Sequence, residues 1–235
     1  MRLLSLPGVF SPLSDTWLLI EALRSETLPP RARVLDLCTG SGAVAVCAAL
    51  RGARDVTAVD VSRRALLSAR LNARANGVRV RARRGDLFDA VGPRRFHAIV
   101  SNPPYVPSPT DALPASGPRR GWDAGRDGRL LLDRICEQAP AHLEPGGFVL
   151  LVHSSVNDTE RTCAALQRGG LEAHVVRRRR GPLGPRMSGR VTLLEQRGLL
   201  ARGAREEEIV VVRGRAPVGS APPAPPSERH LGVPA

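Results

Sequence analysis

Apolar residues fall in short blocks along the chain, separated by polar and glycine-rich stretches. Arg33 to Leu37, Asp55 to Asp60, Val78 to Arg83, Phe96 to Val100 and Gly147 to Val152 are strand-sized. Several of these runs are almost wholly Val, Leu, Ile or Ala, the pattern of strands covered on both faces. Between or after them lie helix-like stretches at Gly42 to Leu50, Ser62 to Ala75, Arg129 to Ala139 and Asn157 to Arg168. Leu171 to Arg177 and Glu208 to Val212 add two further strand candidates, seven in all. Asn76-Gly77 and Pro145-Gly146-Gly147 read as turns, and Asn157 or Asp158 as the cap of the helix that follows. Strand and helix in alternation predict an α/β domain with a seven-stranded, mostly parallel sheet and helices on both faces.

The 235 residues suit one such domain. No apolar stretch approaches the roughly 20 residues of a membrane helix, and Pro7-Gly8 interrupt the leading apolar run, so a cytoplasmic location is expected. Cys38, Cys47, Cys136 and Cys163 are widely spaced without a C-x-x-C pair and read as small hydrophobes, with neither disulfide nor metal expected. From Ala216 the composition turns to Ala, Pro and Ser, which predicts a disordered tail over 216–235. Net charge is +13 and all 35 basic residues are arginine, a bias that fits either a GC-rich coding sequence or attraction to an anionic assembly. Arg177 to Arg180 reads as the solvated end of a strand, with an anionic partner as the alternative.

Candidate chemistry starts in Val34-Leu35-Asp36-Leu37-Cys38-Thr39-Gly40-Ser41-Gly42, a strand running into a glycine turn that opens a helix. Gly40 and Gly42 would leave room for a ligand against the backbone. Asp60, at the end of the next strand, could accept both hydroxyls of a ribose. These features alone permit NAD or S-adenosylmethionine. Asp36 tips the balance, since a carboxylate there would repel a pyrophosphate yet attract the ammonium of S-adenosylmethionine. Asp86 in Gly85-Asp86-Leu87-Phe88 could accept from an adenine amine while Leu87 covers the ring.

Ser101-Asn102-Pro103-Pro104-Tyr105 follows the fourth strand. It resembles the Asn-Pro-Pro-Tyr signature of class I methyltransferases that act on planar nitrogens. An amide or aryl-amine lone pair is delocalised, and its hydrogens become more acidic as the nitrogen attacks a methyl group. Acceptors aimed at those hydrogens, here the Asn102 side-chain oxygen and the Pro103 carbonyl, therefore stabilise the transition state more than the ground state. The two prolines hold the loop rigid, and Tyr105 could cover the planar face of the substrate.

The resemblance narrows with Val9-Phe10-Ser11-Pro12-Leu13-Ser14-Asp15-Thr16-Trp17-Leu18-Leu19 and Gly121-Trp122-Asp123-Ala124-Gly125-Arg126-Asp127-Gly128. Both are similar to segments of the HemK family of release-factor glutamine methyltransferases, in its short eukaryotic and archaeal branch. The resemblance implies a Rossmann-like domain over 31–215, with a leading segment, 1–30, packed on the cofactor site. It implies S-adenosylmethionine contacts from Thr16, Asp36, Cys38, Gly40, Gly42, Asp60, Asp86, Leu87 and Asn102, and substrate contacts from Asn102, Pro103, Pro104 and Tyr105. Cys38 stands where the family usually has glycine. The implied substrate is a glutamine of a translation release factor. Recognition would fall to the leading segment, to the loop Pro107 to Asp127, or to a small activator subunit. A nucleic-acid methyltransferase acting on an adenine or guanine amine is the alternative; it would ordinarily add a recognition domain, for which residues 1–30 leave no room.

Overall fold

A computed structural model describes residues 1–219. The seven strands are β1 (Arg33–Leu37), β2 (Asp55–Asp60), β3 (Arg81–Arg84), β4 (Phe96–Ser101), β5 (Leu143–Ser154), β6 (Glu172–Pro182) and β7 (Glu206–Arg215). They form one sheet in the order β3-β2-β1-β4-β5-β7-β6. Neighbours from β3 through to β5 are parallel, while β7 runs antiparallel to both β5 and β6. Strand order reverses between β1 and β4, so the carboxyl ends of these strands splay apart into a crevice.

One sheet face is covered by α1 (Ser14–Ser25), α2 (Ala43–Leu50) and α3 (Arg63–Ala75), the other by α4 (Leu130–Gln138) and α5 (Thr159–Arg168). Asp158, one of the two caps expected, accepts from the Arg161 N–H at 3.0 Å. Among the described residues no helix is long and apolar enough to cross a membrane.

Three differences from the sequence pattern bear on the site. The leading segment is helical: Thr16, Leu19, Ile20 and Leu23 of α1 are buried, a spacing that marks one helix face. Glu26, just past α1, is also buried and accepts from Arg213 at 2.8 Å and from Arg215. Arg51 donates to the carbonyls of Leu23 and Glu26 at 2.8 and 2.9 Å, so the end of α1 is fastened to α2 and β7. Second, β5 begins at Leu143, and Pro145-Gly146-Gly147, expected as a turn, falls inside it where the register to β4 jumps. Third, the connection from β6 to β7 carries two short helices, α6 (Pro185–Ser188) and α7 (Val191–Gln196). Leu183, Met187, Leu194 and Leu200 there pack with Val106 and Val156 into a small third core.

Strand β6 continues past Arg177 as the sheet edge, and its arginines are paired: Arg178 with Glu208 (3.0 Å), Arg179 with Glu21 (3.1 Å) and Arg180 with Glu206 (2.6 Å). Beyond Arg215 the chain still pairs, as the N–H of Ala216 donates to Gly147 at 2.8 Å and Gly146 donates to Pro217 at 3.1 Å. The rest of the segment expected to be disordered, 220–235, lies outside the described residues.

Arg129 holds the second half together. It is 2% exposed and donates to the carbonyls of Asn157 and Asp158, to Thr162 Oγ1 at 3.0 Å, and to Asp133 at 2.7 Å. Replacing it by methionine takes a charged donor from each of these acceptors at once. Arg129→Met is expected to cost about 3–5 kcal/mol, the usual loss when one member of a buried charged network is removed; denaturant unfolding showing a loss under 1 kcal/mol would remove Arg129 from this role.

Candidate active site

The first wall of the crevice is the turn from β1 to α2. Cys38, Gly40 and Gly42 all have positive φ, at 56°, 53° and 83°. This explains why glycine would be easier than cysteine at position 38, where any Cβ is strained. Thr39 Oγ1 and the Ala45 N–H donate to Asp36 Oδ2 at 2.6 and 3.0 Å. Asp36 is 1% exposed; its burial pushes the carboxyl up to about 7, against those two hydrogen bonds and with help from the Asp60 charge.

Asp60 joins two loops. Its Oδ2 accepts from the Gly40 N–H at 3.0 Å and its Oδ1 from the Ser62 N–H at 2.8 Å. Burial raises this carboxyl as well, opposed by those amides and by Arg120. Asp86 is exposed and pairs with Arg134 of α4 at 2.9 Å. Leu87, buried beside it, has a φ of 47°. An open cleft of about 340 Å³ lies between Val61, Arg84, Gly85, Asp86 and Arg120.

The reason expected for Gly42 is overturned. A Cβ there would lie 2.7 Å from Cα of Ala69, so this glycine lets α3 approach α2 rather than clearing room for a ligand. A Cβ on Gly40 would meet nothing nearer than the Phe10 carbonyl at 3.7 Å; its positive φ is what favours glycine.

The second wall is the loop after β4. Ser101 Oγ donates to the Leu37 carbonyl at 2.8 Å, tying β4 to β1. Pro103 and Pro104 are buried. Asn102 Nδ2 donates to Thr16 Oγ1 at 3.0 Å, and Thr16 Oγ1 in turn donates to Asp15 Oδ1 at 3.3 Å. The Asp15 carboxylate only accepts, so with the threonine proton directed to it the threonine oxygen accepts from Asn102. The Asn102 carbonyl oxygen is thereby turned away from Thr16. Tyr105, expected over the substrate, is half-buried, with its hydroxyl donating to Asp15 Oδ2 at 2.9 Å. Burial and the Asp15 charge hold that phenol well above its ordinary range. Asp15 thus orients two residues of the motif at once.

Other residues here have contacts that their place in the sequence does not show. Asn157 donates to the carbonyls of Tyr105 and Asp127, at 2.7 and 3.1 Å. Gly128, with a φ of 75°, packs so tightly against the Tyr105 carbonyl and Asn157 that any Cβ would overlap them. Arg186 of α6 lies between the rings of Phe10 and Trp122, 4.9 and 4.2 Å from their centres. Arg190 pairs with Asp123 at 2.6 Å, and Arg197 donates to the carbonyls of Ser108, Pro109 and Arg126. The β6–β7 insertion therefore braces the loop between Tyr105 and α4.

Fold and site define a class I methyltransferase. The methyltransferase small domain family matches residues 1–112. A protein of Methanocaldococcus jannaschii provisionally named protein N5-glutamine methyltransferase is 31% identical over 176 residues, 75% of this chain and 87% of that protein. The chain belongs to this family of protein-glutamine methyltransferases. The release factor glutamine methyltransferase of Bordetella pertussis is 41% identical over 72% of this chain, which spans only 65% of that enzyme. Among solved structures, the Mtq2–Trm112 complex of E. cuniculi, responsible for methylation of the eRF1 translation termination factor, shares the fold. Its TM-score is 0.59 at 23% identity, over 89% of this chain and 99% of that one.

The raised Asp36 carboxyl has a sign. Between its ordinary value of 3.8 and about 7 the folded chain keeps a proton that the unfolded chain has released. Its contribution is therefore most favourable in acid and is lost as pH rises to about 7. In Asp36→Asn the penalty is absent, so the variant should gain on the parent in denaturant unfolding between pH 5 and pH 8. Parallel curves would mean that Asp36 is already ionised in the folded chain.

Proposed function

We propose that the protein transfers a methyl group from S-adenosylmethionine to the side-chain amide nitrogen of a glutamine in a protein, and that this protein is a translation release factor. The orientation of Asn102 carries the proposal: with Nδ2 committed to Thr16, only Oδ1 is left to face a substrate. An oxygen acceptor there selects a nucleophile that brings N–H groups, and together with the Pro103 carbonyl it can accept both hydrogens of a primary amide.

The crevice fits the cofactor by charge. Asp36 and Asp60 are two raised carboxylates, and a ligand bearing an ammonium and a ribose would return Asp36 to its ionised state and occupy the free lone pairs of Asp60. Thr16, Asp36, Cys38, Gly40, Asp60, Asp86, Leu87 and Asn102 would hold it. When bound it supplies a methyl group on a sulfonium, whose loss of the methyl leaves a neutral thioether. Asn102 and Pro103 meanwhile draw the amide hydrogens into the plane they define, so the nitrogen lone pair is released toward the methyl. The proton leaves after the methyl has arrived, so no strong base is needed. Pro103 and Pro104 keep the acceptors in place before substrate arrives, which lowers the ordering cost.

Recognition of the protein substrate would fall to the leading segment, to the braced loop to α4, or to a small activator subunit. Purified protein with labelled S-adenosylmethionine should label a release factor, and not the same factor with its Gly-Gly-Gln glutamine replaced. Label on RNA or DNA instead would overturn the reading.

Asn102→Ala is expected to lower turnover on the order of 10²–10³-fold, as removal of a transition-state acceptor partner does. Thr16→Val leaves the Asn102 amide free to flip and should lower turnover about tenfold, the equivalent of one unpaired hydrogen-bonding group, with the fold intact by circular dichroism. Unchanged turnover in Thr16→Val would show that Thr16 does not orient Asn102.

A further inference from the structure

The positive charge of the chain is concentrated in one place. Residues 61–85 contain eight of the 35 arginines and none of the 22 acidic residues, and so supply eight of the thirteen net charges. Arg63, Arg64, Arg70, Arg74, Arg79, Arg81, Arg83 and Arg84 are all exposed. Among the described residues their only ion pair is Arg81 with Asp55, at 3.6 Å, and Asp55 is shared with Arg94 at 2.8 Å. Arg178, Arg179 and Arg180 of β6, on the opposite edge, each have a glutamate, so coding bias alone does not account for the difference.

The fold gathers these residues. Strand β3 is one edge of the sheet, and α3 packs along it, with Arg70 donating to the Ala82 carbonyl at 3.2 Å. Arg63, Arg70 and Arg74 share one face of α3, with Leu67 between them, and Arg81 and Arg83 stand about 6.6 Å apart on one side of β3. Protection of a sheet edge from pairing with another chain explains one or two charges on β3. It does not explain those on α3 and in the turn before β3.

We infer that the α3–β3 edge is a docking surface for the phosphate backbone of RNA, a partner that is bound and not methylated. A backbone with a charge on every nucleotide matches a broad row of guanidiniums, each able to grip a phosphate with two N–H groups; among the described residues only Arg81 of the row has a carboxylate partner. The surface adjoins the cleft at Arg84 and Asp86 but shares no residue with the Asn102 loop, so it can be occupied during methyl transfer. The inference stands independently of the glutamine reading.

The test measures binding of a fluorescent 24-nucleotide RNA by the full chain across a salt series, in parallel with poly-glutamate and with vesicles containing anionic lipid. A charge-reversed variant, Arg70→Glu, Arg74→Glu, Arg81→Glu and Arg83→Glu, is compared with a control carrying Arg178→Glu and Arg180→Glu. RNA affinity is expected to fall at least tenfold in the first variant, and the slope of log K against log salt to flatten by roughly 0.7 for each phosphate that is no longer neutralised. The control should bind RNA as the parent does. Retained affinity for S-adenosylmethionine shows that the first variant is folded; if that affinity is absent, Arg79→Gln with Arg83→Gln takes its place, with the same slope criterion. RNA binding that the variants leave unchanged, or stronger binding to poly-glutamate or to vesicles, would overturn the inference.

Discussion

An amide side chain can present either end, and the chemistry of this site depends on which end Asn102 presents. The choice is made 86 residues away in sequence, by Thr16 on the first turn of α1. Asp15 fixes Thr16 as an acceptor toward Asn102 and takes the Tyr105 hydroxyl with its other oxygen. The helix must then be held where it is, and the buried Glu26 with Arg51, Arg213 and Arg215 does this at its far end. Packing of α1 and the direction of the Asn102 amide thus form one causal line, and in the proposed function the selection of an N–H-bearing nucleophile follows from it.

The other half of the crevice follows a different logic. Asp36 is buried and Asp60 half-buried, each accepting from backbone N–H groups, so each costs free energy when ionised alone. Their environment is short of a positive charge, and the guanidinium that acts on Asp60 is that of Arg120, on the loop after Tyr105. A cationic ligand of the kind proposed would remove that deficit, and its binding would be coupled to ionisation. The same loop is braced by Arg186, Arg190 and Arg197 from the β6–β7 insertion, which links the rim of the site to an element with no part in the core sheet.

Much of this is legible in the sequence because it follows from local pattern. Strands buried on both faces read as continuous apolar runs, and the Asn102–Tyr105 motif stands directly after one of them. Helix α1 is less legible: Leu19, Ile20 and Leu23 have helical spacing, but Leu13 and Trp17, which end up exposed, are apolar too and blur the face. Helices α6 and α7 are too short, and too closely flanked by Gly184, Pro185 and Gly189, to show any period. The role of Asp15 is invisible for a deeper reason: it comes from a contact with Tyr105, 90 residues away in the chain, which no local spacing encodes. Gly42 stands out in the sequence for the wrong reason, since a glycine that clears a ligand and one that admits a neighbouring helix look alike there.

The relay from Thr16 to Asn102 is tested most directly by a double-mutant cycle. Turnover on a release factor at saturating methyl donor would be compared for the parent, Thr16→Val, Asn102→Ala and the two combined. If Thr16 acts only through Asn102, the combined variant is no slower than Asn102→Ala alone, within about twofold, the signature of two residues working as one unit. Losses that multiply would show that Thr16 acts independently, and the orientation of Asn102 would then need another cause.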